Sequence, residues 1–174
     1  MTTTYTYNDT LGKPLSVTVN DGASDRVTRL TYDGKGNLKT KLEESKNNLT
    51  TELFYDDTYQ AFPVKQVVYG IGDADGNTQD LTTQAGYNYE IGLKLTETDA
   101  RGFTTTYEYD KLNRLIKVTL PDDGAGKLYR QYDFDDSQNT CVFTNEKGQK
   151  TTYKFDGLGR LTGVVKESTL IPAG

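Results

Sequence analysis

Along most of the chain, apolar and polar positions alternate with a period of two. In residues 103–109, Phe103, Thr105, Tyr107 and Tyr109 point one way, while Thr104, Thr106 and Glu108 point the other. In 149–155, Thr151, Tyr153 and Phe155 oppose Lys150, Thr152 and Lys154, and after Arg114 the residues Ile116, Val118 and Leu120 share one side. Such alternation marks strands with two unlike faces. No segment carries a convincing period of 3.6 residues, so the fold class predicted is all-β.

The alternating segments repeat. Tyr107-Glu-Tyr109-Asp110-Lys-Leu-Asn113-Arg114-Leu115 and Tyr153-Lys-Phe155-Asp156-Gly-Leu-Gly159-Arg160-Leu161 agree at too many positions for chance. Weaker copies end at Asn8, Asp33 (after Tyr32), Asp56 (after Tyr55), Glu90 and Asp135. The anchors at 8, 33, 56, 90, 110, 135 and 156 define about seven repeats averaging about 25 residues. The longest interval, 56 to 90, holds a stretch near 70–85 rich in Gly, Asp, Asn and Thr, read as an inserted loop.

The anchors have turn chemistry. An Asp side chain can accept hydrogen bonds from the N–H groups just ahead of it, and a residue three further on that tolerates positive φ closes the turn. Asp9 with Gly12, Asp33 with Gly36, Asp110 with Asn113, and Asp156 with Gly159 supply that pairing. They read as hairpin tips built on a type I turn with a bulge residue. Asp99 with Gly102 and Asn145 with Gly148 form a second set, each 11 residues before the next anchor. One repeat is therefore strand, turn, strand, turn. The expected architecture is a solenoid-like strip, or partial shell, of antiparallel β-hairpins forming a single segment over 1–174.

Composition fits a wall without a central core. Leu, Val, Phe and Ile make only 37 of 174 residues, about 21%, yet 27 Thr and 13 Tyr supply strand formers suited to a half-buried surface. Histidine is absent and cysteine occurs once, which excludes Ser/His/Asp and Cys/His nucleophile systems and most zinc sites. A net charge of −5 argues against nucleic acid as a partner. No apolar run could span a bilayer, and the residues after Met1 do not form a signal peptide. The tail 170–174 reads as a cut, and the start is read either as that of a cytosolic protein or as an internal piece whose export signal lies elsewhere.

At these motifs the sequence resembles the YD-repeat, or Rhs-repeat, family of bacterial Rhs and wall-associated polymorphic toxins, toxin-complex C components and teneurins. The Tyr-Asp pair stands here at Tyr32-Asp33, Tyr55-Asp56 and Tyr109-Asp110. The resemblance implies a strip of hairpins spiralling into a hollow shell that encloses or displays a toxin, in a secreted or bacterial surface protein. Neighbouring repeats of the parent chain would be its partners. The family's self-cleaving centre has an Asp-Pro signature, absent here, so cleavage chemistry is not carried over.

Candidate ligand sites have plainer readings. Asp73 to Gln79 has alternating oxygens but lacks the Gly and Glu that a calcium loop places at its sixth and twelfth positions. Asp133, Asp135 and Asp136 could act as a carboxylate pair, yet turn positions account for two of the three, and the pairs Asp56-Asp57 and Asp122-Asp123 read alike. Cys141 is expected to be a buried, inert thiol. No catalytic, cofactor or metal residue is assigned, and the segment is read as a non-enzyme. The alternative is an adhesion module binding carbohydrate or protein through exposed Tyr and Thr. Unpaired sheet edges would also allow self-association.

Overall fold

The computed structural model describes residues 1–44, 48–72, 75–122, 124 and 128–167. Its strands are β1 (Thr2–Asn8), β2 (Lys13–Asn20), β3 (Asp25–Tyr32), β4 (Leu38–Glu43), β5 (Leu49–Tyr55), β6 (Pro63–Gly72), β7 (Thr78–Asn88), β8 (Leu93–Thr98), β9 (Thr104–Tyr109), β10 (Leu115–Thr119), β11 (Tyr129–Asp135), β12 (Thr140–Thr144), β13 (Lys150–Phe155) and β14 (Leu161–Lys166). Sheet order equals sequence order from β1 to β14. The described residues contain no α-helix.

The chain divides into two units, Met1–Tyr87 with Thr98–Gly102, and Asn88–Glu97 with Phe103–Gly174. In the first, β2 meets β3 with Ser16 facing Arg29, and β4 meets β5 with Thr40 facing Glu52. In the second, β11 meets β12 with Phe134 facing Cys141, and β12 meets β13 with Cys141 facing Tyr153. Antiparallel pairs between consecutive strands put each unit's anchor turns on one margin of its sheet.

Burial follows from this one-layer construction. Val67 and Cys141 are the buried apolar residues among those described, and no large side chain is fully enclosed. Desolvation, and after it the charge of Asp133, pushes the Cys141 thiol above its ordinary value, consistent with an inert sulfur.

The stretch near 70–85, expected as an inserted loop, is mostly strand. Its extra length goes into β6 and β7, the two longest strands, and the described part of their turn, residues 75–77, is short. Thr78, Thr82 and Thr83 fit a pleated surface, and Gly70, at φ +67°, makes a bulge where the register shifts between Val68 and Ile71. The Gly70 N–H donates to Asp80 Oδ1 at 3.0 Å. Asp73 and Ala74 of the weighed calcium loop lie outside the described residues.

The turn at Asp56 carries a non-glycine residue, Gln60, at φ +53°. A side chain there costs about 1–2 kcal/mol, so Gln60→Gly is expected to raise the free energy of urea unfolding by about 1 kcal/mol.

Candidate functional site

Each anchor turn is held by one Asx side chain. In the turns closed at the third residue, the Asp33 Oδ1 accepts from the N–H groups of Lys35 (2.9 Å) and Asn37 (2.8 Å). Asp110 accepts from Leu112 and Arg114, and Asp156 from Leu158 and Arg160, all at 2.9 Å. The Gly36, Asn113 and Gly159 N–H groups donate back to the anchor carbonyls at 2.9–3.0 Å, and all three residues have positive φ. At Gly159 a Cβ would meet nothing within 4 Å, so glycine is there for its φ and not for space.

A second class of turn closes one residue later. Gly12 donates to the Asn8 carbonyl, Gly92 to Asn88 and Gln60 to Asp56. The first turn is therefore closed on the anchor Asn8 itself and not on Asp9, the residue expected to pair with Gly12, and Asn8 Oδ1 accepts from the N–H groups of Thr10 and Leu11. The same closure moves the fourth anchor from Glu90 to Asn88, whose Oδ1 accepts from Glu90 N–H. An aromatic residue precedes every anchor: Tyr7, Tyr32, Tyr55, Tyr87, Tyr109, Phe134 and Phe155.

Asp56 is the most buried anchor, at 4% exposure. Its carboxylate accepts from Tyr59, Ala61 and Phe62 N–H at 2.5, 3.0 and 2.9 Å. Burial alone pushes this carboxyl up, but the surrounding backbone N–H groups outweigh it and hold the pKa at about 2. Backbone donation from Arg114 and from Arg160 lowers Asp110 and Asp156 below the ordinary carboxylate value.

The aromatic partner works between repeats. Tyr32 Oη donates to the Pro14 carbonyl at 2.8 Å, Tyr55 to Leu38 at 2.9 Å, Tyr87 to Pro63 at 3.3 Å, and Tyr109 to Lys94 at 2.9 Å. Each acceptor lies in the second strand of the preceding repeat. Pro14, Leu38 and Pro63 are the residues facing Tyr7, Tyr32 and Tyr55 at the register shift of their own hairpins. The bulge turns a carbonyl out of the ladder, and the next tyrosine supplies the missing donor. Burial, and then the Asp33 charge, raises the Tyr55 phenol pKa, keeping it a donor.

At two of these junctions the residue before the acceptor covers the incoming ring. Lys13 Nζ lies 5.4 Å from the Tyr32 centroid, and the Phe62 and Tyr87 centroids are 5.2 Å apart. Where the series changes to Phe134, the Arg114 guanidinium stacks on it at 4.2 Å. Arg114 Nε donates to Asp110 Oδ2 at 2.7 Å and its other nitrogens to Asp136 at 2.5 and 3.2 Å, bonds that raise its pKa, that to Asp136 most. Arg160 Nε donates to Asp156 Oδ2 at 2.7 Å.

The remaining motif residues lie within the pairing. Leu115 faces Tyr109, Leu161 faces Phe155, Tyr153 faces Cys141 and Val164, and Tyr107 Oη donates to Glu97 at 3.0 Å. The motif residues therefore recur as a series along the sheet and do not converge on one centre. Among the described residues no group of three or more His, Cys, Asp or Glu is placed to hold a metal ion. An open depression of about 670 Å³ is lined by Tyr32, Asp33, Lys39, Phe54, Tyr55 and Asp57.

Hairpins fastened one to the next by a tyrosine ahead of an Asx turn define a β-hairpin repeat protein. The profile of the RHS Repeat matches residues 92–125. Human Teneurin-4 is 30% identical over 153 residues, which is 82% of this chain and 5% of that protein. The Probable deoxyribonuclease RhsA of Dickeya dadantii (strain 3937) is 28% identical over 138 residues, 76% of this chain and 9% of that one. In the crystal structure of TcdB2-TccC3-Cdc42, a fold with TM-score 0.55 and 17% identity covers 96% of this chain and 10% of the chain it matches. The chain belongs to the Rhs-repeat, or YD-repeat, family, and spans at most about a tenth of the relatives it matches.

Proposed function

We propose that the chain is a wall segment of a longer Rhs/YD-repeat protein, secreted or displayed on a bacterial surface, whose β-shell encloses or displays a toxin. The observation that carries this reading is where the motif side chains are spent. The Asx groups bind their own turns and the tyrosine hydroxyls bind the preceding repeat, so the residues that recur are committed to holding a sheet together. A role as scaffold follows, with any chemistry supplied by other parts of the parent. Cryo-electron microscopy of the longest natural chain containing residues 1–167 tests this. The expected result places them in the wall of a shell, whereas a separate body outside a shell overturns the reading. The 174-residue chain alone is expected to leave plasmid DNA intact, although one relative bears a nuclease name.

Adhesion is the second reading, favoured by the depression beside Tyr32 and Tyr55. Aromatic faces there could stack on a sugar, although both hydroxyls already donate to backbone carbonyls. Glycan-array binding lost in Phe54→Ala, with the sheet intact by circular dichroism, would support it, and an array without hits would remove it.

A further inference from the structure

Four of the junctions between repeats are closed by a neutral bond, a tyrosine hydroxyl donating to a backbone carbonyl. The junction β10·β11 has no such bond, because its incoming strand carries Phe134. Its ladder is also short. It has three register pairs, Lys117 with Gln131, Val118 with Arg130 and Thr119 with Tyr129, against five at β2·β3 and four at β4·β5. Phe155 brings no hydroxyl to β12·β13 either, but five register pairs form there, and the Phe155 N–H donates to the Asn139 carbonyl at 2.9 Å.

At β10·β11 cations take over. Among the described residues, the hydrogen bonds and ring contacts that side chains make across this junction all start from a positive charge. Arg114 reaches from its own turn to the Asp136 carboxylate at 2.5 and 3.2 Å and lies on the Phe134 ring at 4.2 Å. Lys117 Nζ lies 5.2 Å from the Tyr129 centroid. Both cations are also tied backward, Arg114 to Asp110 at 2.7 Å and Lys117 to Glu108 at 3.4 Å, so each links the β9–β10 hairpin to the next repeat. Asp133 lines one depression with Arg114, Lys117 and Glu108, and adds a carboxylate from the incoming strand.

These groups are within reach of dissolved ions: the Arg114 and Lys117 side chains are 31% and 35% exposed, and that of Asp136 is 67% exposed. Attraction between solvent-exposed charges is screened over about 8 Å at physiological salt and about 3 Å at 1 M. A bond between a neutral hydroxyl and a carbonyl has little such dependence.

We propose that β10·β11 is a salt-controlled seam in the sheet, held by Arg114 and Lys117, which loosens as ionic strength rises while the tyrosine-closed junctions stay shut. Rising salt thereby parts the repeats on either side of the seam without opening the hairpins themselves. The seam is a property of this junction and does not depend on what the parent protein encloses.

Hydrogen exchange of the 174-residue chain at pH 7, in about 20 mM and about 1 M NaCl, tests the proposal. Amides of residues 117–120 and 129–133 are expected to exchange about three- to tenfold faster at the higher salt, relative to those at β2·β3 and β4·β5. Asp136→Asn with Lys117→Met removes the carboxylate beyond the seam and the second cation, both at partly exposed positions. In about 20 mM NaCl this variant should exchange at the seam as fast as wild type does in about 1 M, with less than about a twofold further response to salt. A salt response equal at all junctions, or absent from β10·β11, overturns the proposal. So does a response that the double variant leaves undiminished.

Discussion

Asp56→Ala is expected to lower the melting midpoint by roughly 5–10 °C, more than any other single turn substitution. Three backbone N–H groups, those of Tyr59, Ala61 and Phe62, converge on this one carboxylate, and Asp56 is the least exposed of the anchors. Alanine strips all three of their acceptor with little water to replace it. Asp56→Asn should fall between wild type and Ala, because an amide oxygen can still serve Ala61 and Phe62 while its NH₂ group faces the Tyr59 N–H. The same carboxylate sets an acid limit. Its folded pKa, about 2, lies below the ordinary 3.8, so its contribution is complete above about pH 4 and is lost as pH falls from there toward 2. Asp33, Asp110, Asp135 and Asp156 are shifted in the same direction and add to that loss. A pH series of urea unfolding from 7 down to 2 checks the sign: wild type should weaken steeply below about pH 4, and Asp56→Ala less steeply.

The second large effect belongs to the tyrosines. Tyr32→Phe, Tyr55→Phe and Tyr109→Phe each leave the ring and remove only the hydroxyl, so each acceptor carbonyl, at Pro14, Leu38 or Lys94, loses that donor. One such bond contributes about 0.5–1.5 kcal/mol, and the triple variant is expected to lose about 1.5–4.5 kcal/mol because the three bonds share no partner. Hydrogen exchange should locate the loss at the junctions β2·β3, β4·β5 and β8·β9, leaving the hairpin turns protected. Equal loosening of turns and junctions would mean that the two halves of the motif do not act separately. In a repeat array stability is a sum over such neighbour interfaces, so the ends should open first.

Much of this was legible in the sequence. Period-two alternation around Tyr107 and Tyr153 indicated strands, and the Asp110–Asn113 and Asp156–Gly159 spacings indicated three-residue hairpin turns of the kind the backbone adopts. The fourth anchor was misplaced because alternation cannot register it. Tyr87 and Tyr89 are two residues apart, so either choice keeps the same face, and only the turn geometry selects Asn88. The Asp56 turn had no visible closing residue because Gln60 takes up positive φ without being Gly or Asn. The length of β6 and β7 was hidden by a composition rich in turn formers, Gly70, Gly72, Asp80 and Thr78, that pairing nevertheless holds in strand. The tyrosine-to-carbonyl bonds had no local signal at all, since donor and acceptor are 15 to 24 residues apart. A recurring Tyr where Phe would pack equally well was the only hint of them.

That distinction between Tyr and Phe gives the most direct test that the residue ahead of each anchor fastens its repeat to the one before. At 134 the series has Phe, stacked under Arg114 at the place where a hydroxyl would reach toward the Leu115 carbonyl. The free energy of urea unfolding of Phe134→Tyr is predicted to exceed that of wild type by about 0.5–1.5 kcal/mol. An unchanged or lowered value would contradict the account.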